Sequence, residues 1–410
     1  MRQCLDERQR SLLALTDKVV PALSERAARH DRDNAFPHDN YNDLRDAGLM
    51  RLTVPEELGG LGADQQDMLL VLEQLAAADG ATTLAYAMHV APLGSWGLTW
   101  RRTGAPPLEQ VLRLAATGHL TLAAIASEIG TSNLFTDART TATRVDGGFL
   151  LNGRKNFGTN SAVATMWAST ARYEDPELGP RLLVLLVDPA GKGVTIEQTW
   201  DTLGMRATQS NDVVFDDLFV PDQGVVQSIP IGHFDVQVLE TIICWTAPSF
   251  GAVYTGIAAG ALDWAVEQIR RRGLDRDARV QDAIADVEIA LEVNRSVLRR
   301  HAAEVTNGQL IGQLGVQEGL GRCAFVKNVC TNNAAAIMTR LADVVGGAAY
   351  SRTQPFERMW RDVQAGLIMP INNRTGKELI GASALGIALA PVAPAPRFPG
   401  AAPSTGDERR

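Results

Sequence analysis

Two short stretches carry the side chains best suited to chemistry. Ala126-Ser127-Glu128-Ile129-Gly130-Thr131-Ser132-Asn133 offers hydroxyl and amide donors in a turn. Asn152-Gly153-Arg154-Lys155-Asn156-Phe157-Gly158-Thr159-Asn160 sets an aromatic two residues before a hydroxyl. Fixed donors stabilise developing negative charge, and an aromatic face stacks and excludes water. Taken alone, the same residues also read as a polar strand-to-loop turn and an ordinary core aromatic. Arg270-Arg271-Arg272 is the one basic block. Gly346-Gly347 permits a close backbone approach. Cys4, Cys244, Cys323 and Cys330 form no CxxC or Cys/His pattern, and the six histidines are scattered, so no metal site is expected.

The elements that must position these residues follow from composition and periodicity. The chain has 410 residues, 45% hydrophobic and 21% charged, which suggests two or three domains. A net charge of −8 disfavours nucleic acid and anionic membranes as partners. The cysteines read as reduced thiols, and Met1 to Arg10 has no apolar signal region, so a cytoplasmic protein is expected. Thr241 to Leu262 is uncharged and long enough to span a bilayer. It contains Pro248 and many Gly and Ala residues, then runs into the polar segment Asp263 to Arg272. A buried helix packed through small residues is the expectation.

Residues 1 to about 118 show helical spacing, broken by the loop Val54-Pro55-Glu56-Glu57-Leu58-Gly59-Gly60-Leu61-Gly62. Between 119 and 230, six short strand-like runs are separated by turns such as Asp146-Gly147-Gly148. Close spacing predicts a small β-barrel or sandwich. Helical periodicity returns over 231–387, in segments 236–272, 276–307, 314–345 and 373–387, and 388–410 reads as a disordered tail. The expectation is therefore α+β, mainly α, with a helical domain, a β-domain and a four-helix bundle. This order excludes a doubly wound nucleotide fold, and no GxGxxG follows a strand.

This order and these motifs resemble the acyl-CoA dehydrogenase family over nearly the whole chain. The Val54–Gly62 string, Asp46-Ala47-Gly48-Leu49 before it, and Thr202 to Pro221 are similar to further family markers. The resemblance implies FAD, in preference to FMN. It implies that Ser127, with Ser132 or Asn133, holds the pyrimidine edge. It places Phe157 against the isoalloxazine and the Thr159 hydroxyl or amide at N5. It assigns Arg272 to the pyrophosphate of a neighbouring subunit and Gly346 and Gly347 to the adenosine, although Arg270 and Arg271 compete for the first role. Arg361-Asp362 is expected to be a structural ion pair. A homodimer or homotetramer is implied.

The family removes an α-proton with a glutamate, which aligns with Pro370; its alternative position aligns with Thr246. Neither is a base, and a base contributes ~10²–10⁴-fold. Three readings follow. The family default is an acyl-thioester dehydrogenase, on CoA or a carrier protein, whose relocated base is Glu240, Asp235 or His233. The alternative is a two-component monooxygenase or N-hydroxylase that receives reduced flavin from a reductase and needs no such base; His89 is its candidate side chain. The third is a redox-neutral or binding role.

Overall fold

In the computed structural model, described for residues 4–130 and 136–391, six helices come first: α1 (Glu7–Thr16), α2 (Val20–Asp33), α3 (His38–Asp46), α4 (Gln65–Ala78), α5 (Gly80–Thr103) and α6 (Pro106–Ala116). The sequence specifies their starts. Asp6 and Asp64 each form a capping box, and Asp79 caps α5 through Ala81 and Thr82 N–H.

Eight strands follow: β1 (Leu122–Ile125), β2 (Thr141–Val145), β3 (Gly148–Gly158), β4 (Met166–Asp175), β5 (Gly179–Val187), β6 (Val194–Glu197), β7 (Asn211–Pro221) and β8 (Val225–Pro230). They form one sheet in the order β6-β7-β3-β2-β4-β5-β8, with β1 paired parallel to β4. Ile125, Leu151, Trp167, Leu185, Val213 and Phe215, from both halves, share one core, so the sheet folds over itself as the barrel-or-sandwich expectation required. β2 and β8 were not expected. β2 is mostly polar, and β8 ends in a proline that cannot extend a ladder.

The C-terminal helices are α7 (Val236–Leu239), α8 (Ala247–Arg271), α9 (Ala278–Thr306), α10 (Gln309–Gly312), α11 (Gly315–Val345), α12 (Pro355–Ile368) and α13 (Asn373–Ala384). Two differences from the sequence reading matter. The 236–272 segment is not one α-helix, because a π-turn covers Glu240–Thr246. α12 adds a helix to the expected four; it buries Phe356, Met359, Val363 and Gly366 on one face. The apolar window of Val236–Arg271 is 88% buried inside the protein, as its small residues suggested. Most of the expected tail lies outside the described residues, but Pro391 O accepts from Phe234 N at 2.8 Å.

Gly256 and Gly260 explain how α8 reaches the centre. A Cβ on Gly256 would lie 2.3 Å from Glu73 O, and one on Gly260 2.3 Å from Ala77 O, both on α4. Helix propensity alone gives Gly256→Ala a gain of about 1 kcal/mol. The contact reverses the sign. A loss of about 1–3 kcal/mol is expected in urea unfolding, and a raised midpoint would refute this packing.

Candidate active site

The β3 strand builds the first half of the site. Leu151 and Lys155 point inward, and strict alternation would carry Phe157 inward too. A register shift between Lys155 and Gly158 against β7 prevents this. Phe157 instead sits at φ 57° with its side chain outward, 56% exposed, and its edge meets Trp200 at 6.2 Å between centroids. A bulky residue at positive φ is strained, and strain of this kind collects at functional positions. Phe157 is therefore not a core aromatic but a presented face.

The loop after β1 is stitched to this strand. Asn156 N donates to Ser127 O at 2.8 Å, and Ile129 N donates to Asn156 Oδ1 at 3.0 Å. Below them Lys155 Nζ meets Glu128 Oε1 at 2.7 Å, with both side chains buried. Glu128 also accepts from Thr140 N, Thr140 Oγ1 and Arg139 N at 2.8, 2.6 and 2.5 Å. Burial pushes the Glu128 carboxyl up, but Lys155 and these donors outweigh it and hold it below its ordinary value. Burial pulls the Lys155 ammonium down, opposed by Glu128. Sequence reasoning missed this pair. Its signal was a lysine at an inward position of a strand, which needs a buried partner. Among the described residues the Ser127 hydroxyl bonds to no protein atom and is free to donate. Ser132 and Asn133 lie outside the described residues.

Thr159 is more constrained than expected. Its N–H donates to Phe157 O at 2.8 Å, which removes the amide from any ligand-facing role. Its hydroxyl lies 2.8 Å from Ser210 Oγ, and Ser210 Oγ lies 2.8 Å from Thr208 Oγ1. Thr208 Oγ1 donates to Met205 O at 2.9 Å. Met205 N in turn donates to Asp362 Oδ1 at 2.5 Å, so this loop is fastened to α12.

Seven residues past Asp362, roughly 10 Å along the helix, α12 ends at the turn Met369-Pro370-Ile371. Tyr254 Oη donates to Met369 Sδ at 2.9 Å. Lys327 Nζ donates to Met369 O at 3.1 Å and to Asn373 Oδ1 at 2.9 Å. Burial alone lowers Lys327 to about 7. Pro370 offers no base.

Both substitute carboxylates are engaged, and His233 is held through one ring nitrogen. Glu240 is held by Arg102 at 3.1 and 2.5 Å. Asp235 caps α7 by accepting from Gln237 N and Val238 N, both at 2.9 Å. His233 Nδ1 bonds Ile231 O at 3.2 Å. Thr246 has no acid group and closes the π-turn. His89 is fully buried. Its Nε2–H donates to Met50 O at 2.7 Å, and its Nδ1 accepts from Leu122 N at 3.1 Å. Burial drives it down to about 4, so it is a neutral pin between α5 and β1, not a catalytic group. The Arg361-Asp362 pair is also corrected. Arg361 grips Asp31 at 2.6 Å and Glu357 at 2.8 Å, while Asp362 faces Arg358 at 3.6 Å. Adjacent helix residues point about 100° apart, which is why the neighbours find different partners.

Arg272 is separated from its two rivals by one bond. Its Nη1 donates to Val345 O at 2.6 Å, directly before Gly346 at φ 69° and Gly347. The expected pyrophosphate and adenosine residues are thus brought together by a bond that spans 73 positions in sequence. No hydrogen bond among the described residues joins them to the Phe157 group. No described cluster of three His, Cys, Asp or Glu residues could hold a metal ion.

The presented aromatic, the free Ser127 hydroxyl and the guanidinium beside a glycine turn fit a flavin nucleotide. Models of the acyl-CoA dehydrogenase N-terminal, middle and C-terminal domains match residues 6–100, 123–218 and 236–370. The chain belongs to the acyl-CoA dehydrogenase family. Like its relatives it is a flavin-dependent oxidoreductase. It is 30% identical over 391 residues to the amino sugar nitrososynthase DnmZ of Streptomyces peucetius, covering 92% of this chain and 93% of that one. It is 29% identical over 381 residues to the putative acyl-CoA dehydrogenase YdbM of Bacillus subtilis, covering 89% and 94%. The solved structure of KijD3, in complex with FMN and dTDP-3-amino-2,3,6-trideoxy-4-keto-3-methyl-D-glucose, matches with a TM-score of 0.84 and 32% identity, covering 94% of this chain and 95% of that one.

Proposed function

We propose that this family member is a flavin-dependent N-oxygenase of small-molecule amines, with nucleotide-linked amino sugars as its substrate class and a separate reductase as the source of reduced flavin. One observation carries the reading. Both family positions for a carboxylate base are empty, at Pro370 and Thr246, and each substitute carboxylate is already bound, Glu240 by Arg102 and Asp235 by α7. α,β-Desaturation needs a base near the substrate carbon, whereas oxygen transfer to an amine uses the lone pair of the nitrogen. Similarity to DnmZ and KijD3 favours the same class.

When bound in its reduced form, the flavin would supply two electrons to dioxygen, so that one oxygen atom reaches the amine nitrogen and the other leaves as water. The chain's own groups hold and shield. Phe157 backs the ring system, and Ser127 donates to its pyrimidine edge. The Met369-Pro370 turn, with no acid or base of its own, leaves the amine unprotonated by the protein. Arg272 beside Gly346-Gly347 favours a dinucleotide, FAD; the KijD3 complex with FMN makes the mononucleotide the form to test against it.

The test is a pair of reactions on flavin-loaded protein. Anaerobic mixing with acyl-CoA and acyl-carrier-protein thioesters should leave the flavin unbleached. With a flavin reductase, NADH and oxygen, a dTDP-linked amino sugar should be consumed and gain oxygen by mass spectrometry. Bleaching by a thioester would end the proposal.

A further inference from the structure

The hydroxyls of Thr159, Ser210 and Thr208 form a chain whose hydrogen-bond direction is fixed at one end. Each hydroxyl has a single proton to give. The Met205 carbonyl can only accept, so the proton of Thr208 is committed to it at 2.9 Å. The 2.8 Å contact between Thr208 Oγ1 and Ser210 Oγ then requires Ser210 to donate. The proton of Ser210 is thereby spent, and the 2.8 Å contact with Thr159 Oγ1 requires Thr159 to donate in turn. Thr159 N–H is already given to Phe157 O. All three residues are buried, and their hydroxyls make no further bonds among the described residues, so no other protein acceptor releases a proton along the chain.

From this polarity we infer that Thr208 and Ser210 are positioning residues that make Thr159 an acceptor-only group, selecting a bound ring that presents N–H over one that presents a bare nitrogen. The inference rests on the flavin reading above and deepens it. N5 of reduced flavin carries a hydrogen, whereas N5 of oxidised flavin carries a lone pair. Thr159 Oγ1 accepts from the first and opposes the second. Such a site captures the reduced cofactor and discourages retention of the oxidised one, which suits an enzyme supplied by a separate reductase. Met205 O is a stable anchor for the chain because it also receives Trp200 Nε1 and Thr208 N, both at 3.1 Å. The anchor therefore remains paired when the Thr208 hydroxyl is removed.

The measurement is equilibrium binding of oxidised and photoreduced FMN and FAD under anaerobic conditions, with full-length wild type, Thr208→Val, Thr208→Ser and Ser210→Ala. Wild type should bind reduced flavin more tightly than oxidised. Thr208→Val frees Ser210 to donate to Thr159, and Ser210→Ala removes the acceptor of Thr159's proton; either leaves Thr159 able to donate. Each should cut the reduced-over-oxidised ratio by about tenfold, the factor given by one net hydrogen bond. Thr208→Ser keeps the direction and should keep the ratio, which a packing role for the methyl group would not predict. Wild type that prefers oxidised flavin overturns the inference without any variant. An unchanged ratio in Thr208→Val and Ser210→Ala, with both redox states bound, overturns the polarity argument alone. Wild type that binds neither state overturns the flavin reading with it.

Discussion

Lys155→Met should lower the stability of the protein by about 3–5 kcal/mol, the cost of leaving one member of a buried ion pair without the other. Glu128 and Lys155 are 3% and 0% exposed in their side chains, so no water replaces the lost ammonium. Glu128 would keep its bonds from Thr140 and Arg139, but with the lowering effect of the Lys155 charge gone its own pKa would rise. The defect lies directly beneath Ser127 and Phe157, so flavin affinity should fall together with the urea midpoint. Replacing both members, Glu128→Gln with Lys155→Met, should recover much of the stability, because neither charge then remains buried. Equal stability for Lys155→Met and wild type would show that the pair is not needed to hold the β1–β3 junction.

The second large effect depends on pH. Lys327 sits at about 7, well below the ordinary ~10.4 of a lysine. The groups that bond it are neutral: the Met369 carbonyl, and Asn373, whose amide also donates to Thr331. Burial is the sole cause of the shift, and no charged group on α8, α11, α12 or α13 contributes to it. Between pH 7 and about 10 the unfolded chain therefore holds a proton that the folded chain has released. Stability from this group rises with pH across that window, by on the order of 1.4 kcal/mol per unit, and is lost as pH falls toward 7. Lys327→Met removes the titration. Its stability relative to wild type should be greatest near pH 7 and decline by about 3 kcal/mol between pH 7.5 and 9.5. Parallel profiles for the two proteins would place the charged lysine in a better solvated site than its burial indicates.

Much of the scaffold was legible from local pattern. The α8 glycines advertised a close helix contact, and α4 supplies it. Ser127, Phe157 and Thr159 could be picked out because they sit in two compact strings. What remained hidden depends on geometry that spacing does not encode. The outward turn of Phe157 comes from a bulge, and alternation alone points the side chain the wrong way. Glu128 and Lys155 are 27 residues apart, and only folding places one against the other. Arg361 finds Asp31 across 330 residues, where sequence reading offered its immediate neighbour. The polarity of the Thr159 hydroxyl is invisible even with every residue named, since it depends on which carbonyl terminates the chain. His89 and Glu240 were plausible by residue type, and the backbone and Arg102 had already claimed them.

α12 links two halves of the site that the chain could alter independently. Asp362 fixes one end to the loop that carries Thr208 and Ser210; Met369, pinned by Tyr254 and Lys327, fixes the other. Residues 369–373 are thus a short interchangeable cassette mounted on a helix of set length. On the proposed reading, exchanging the cassette would change which acid or base faces the substrate and leave the cofactor seat in place. Deleting one residue from the helix would swing the cassette through about 100° and draw it back by about 1.5 Å. On that reading, the spacing from Asp362 to Pro370 sets where position 370 stands, while its identity sets which chemistry it can offer.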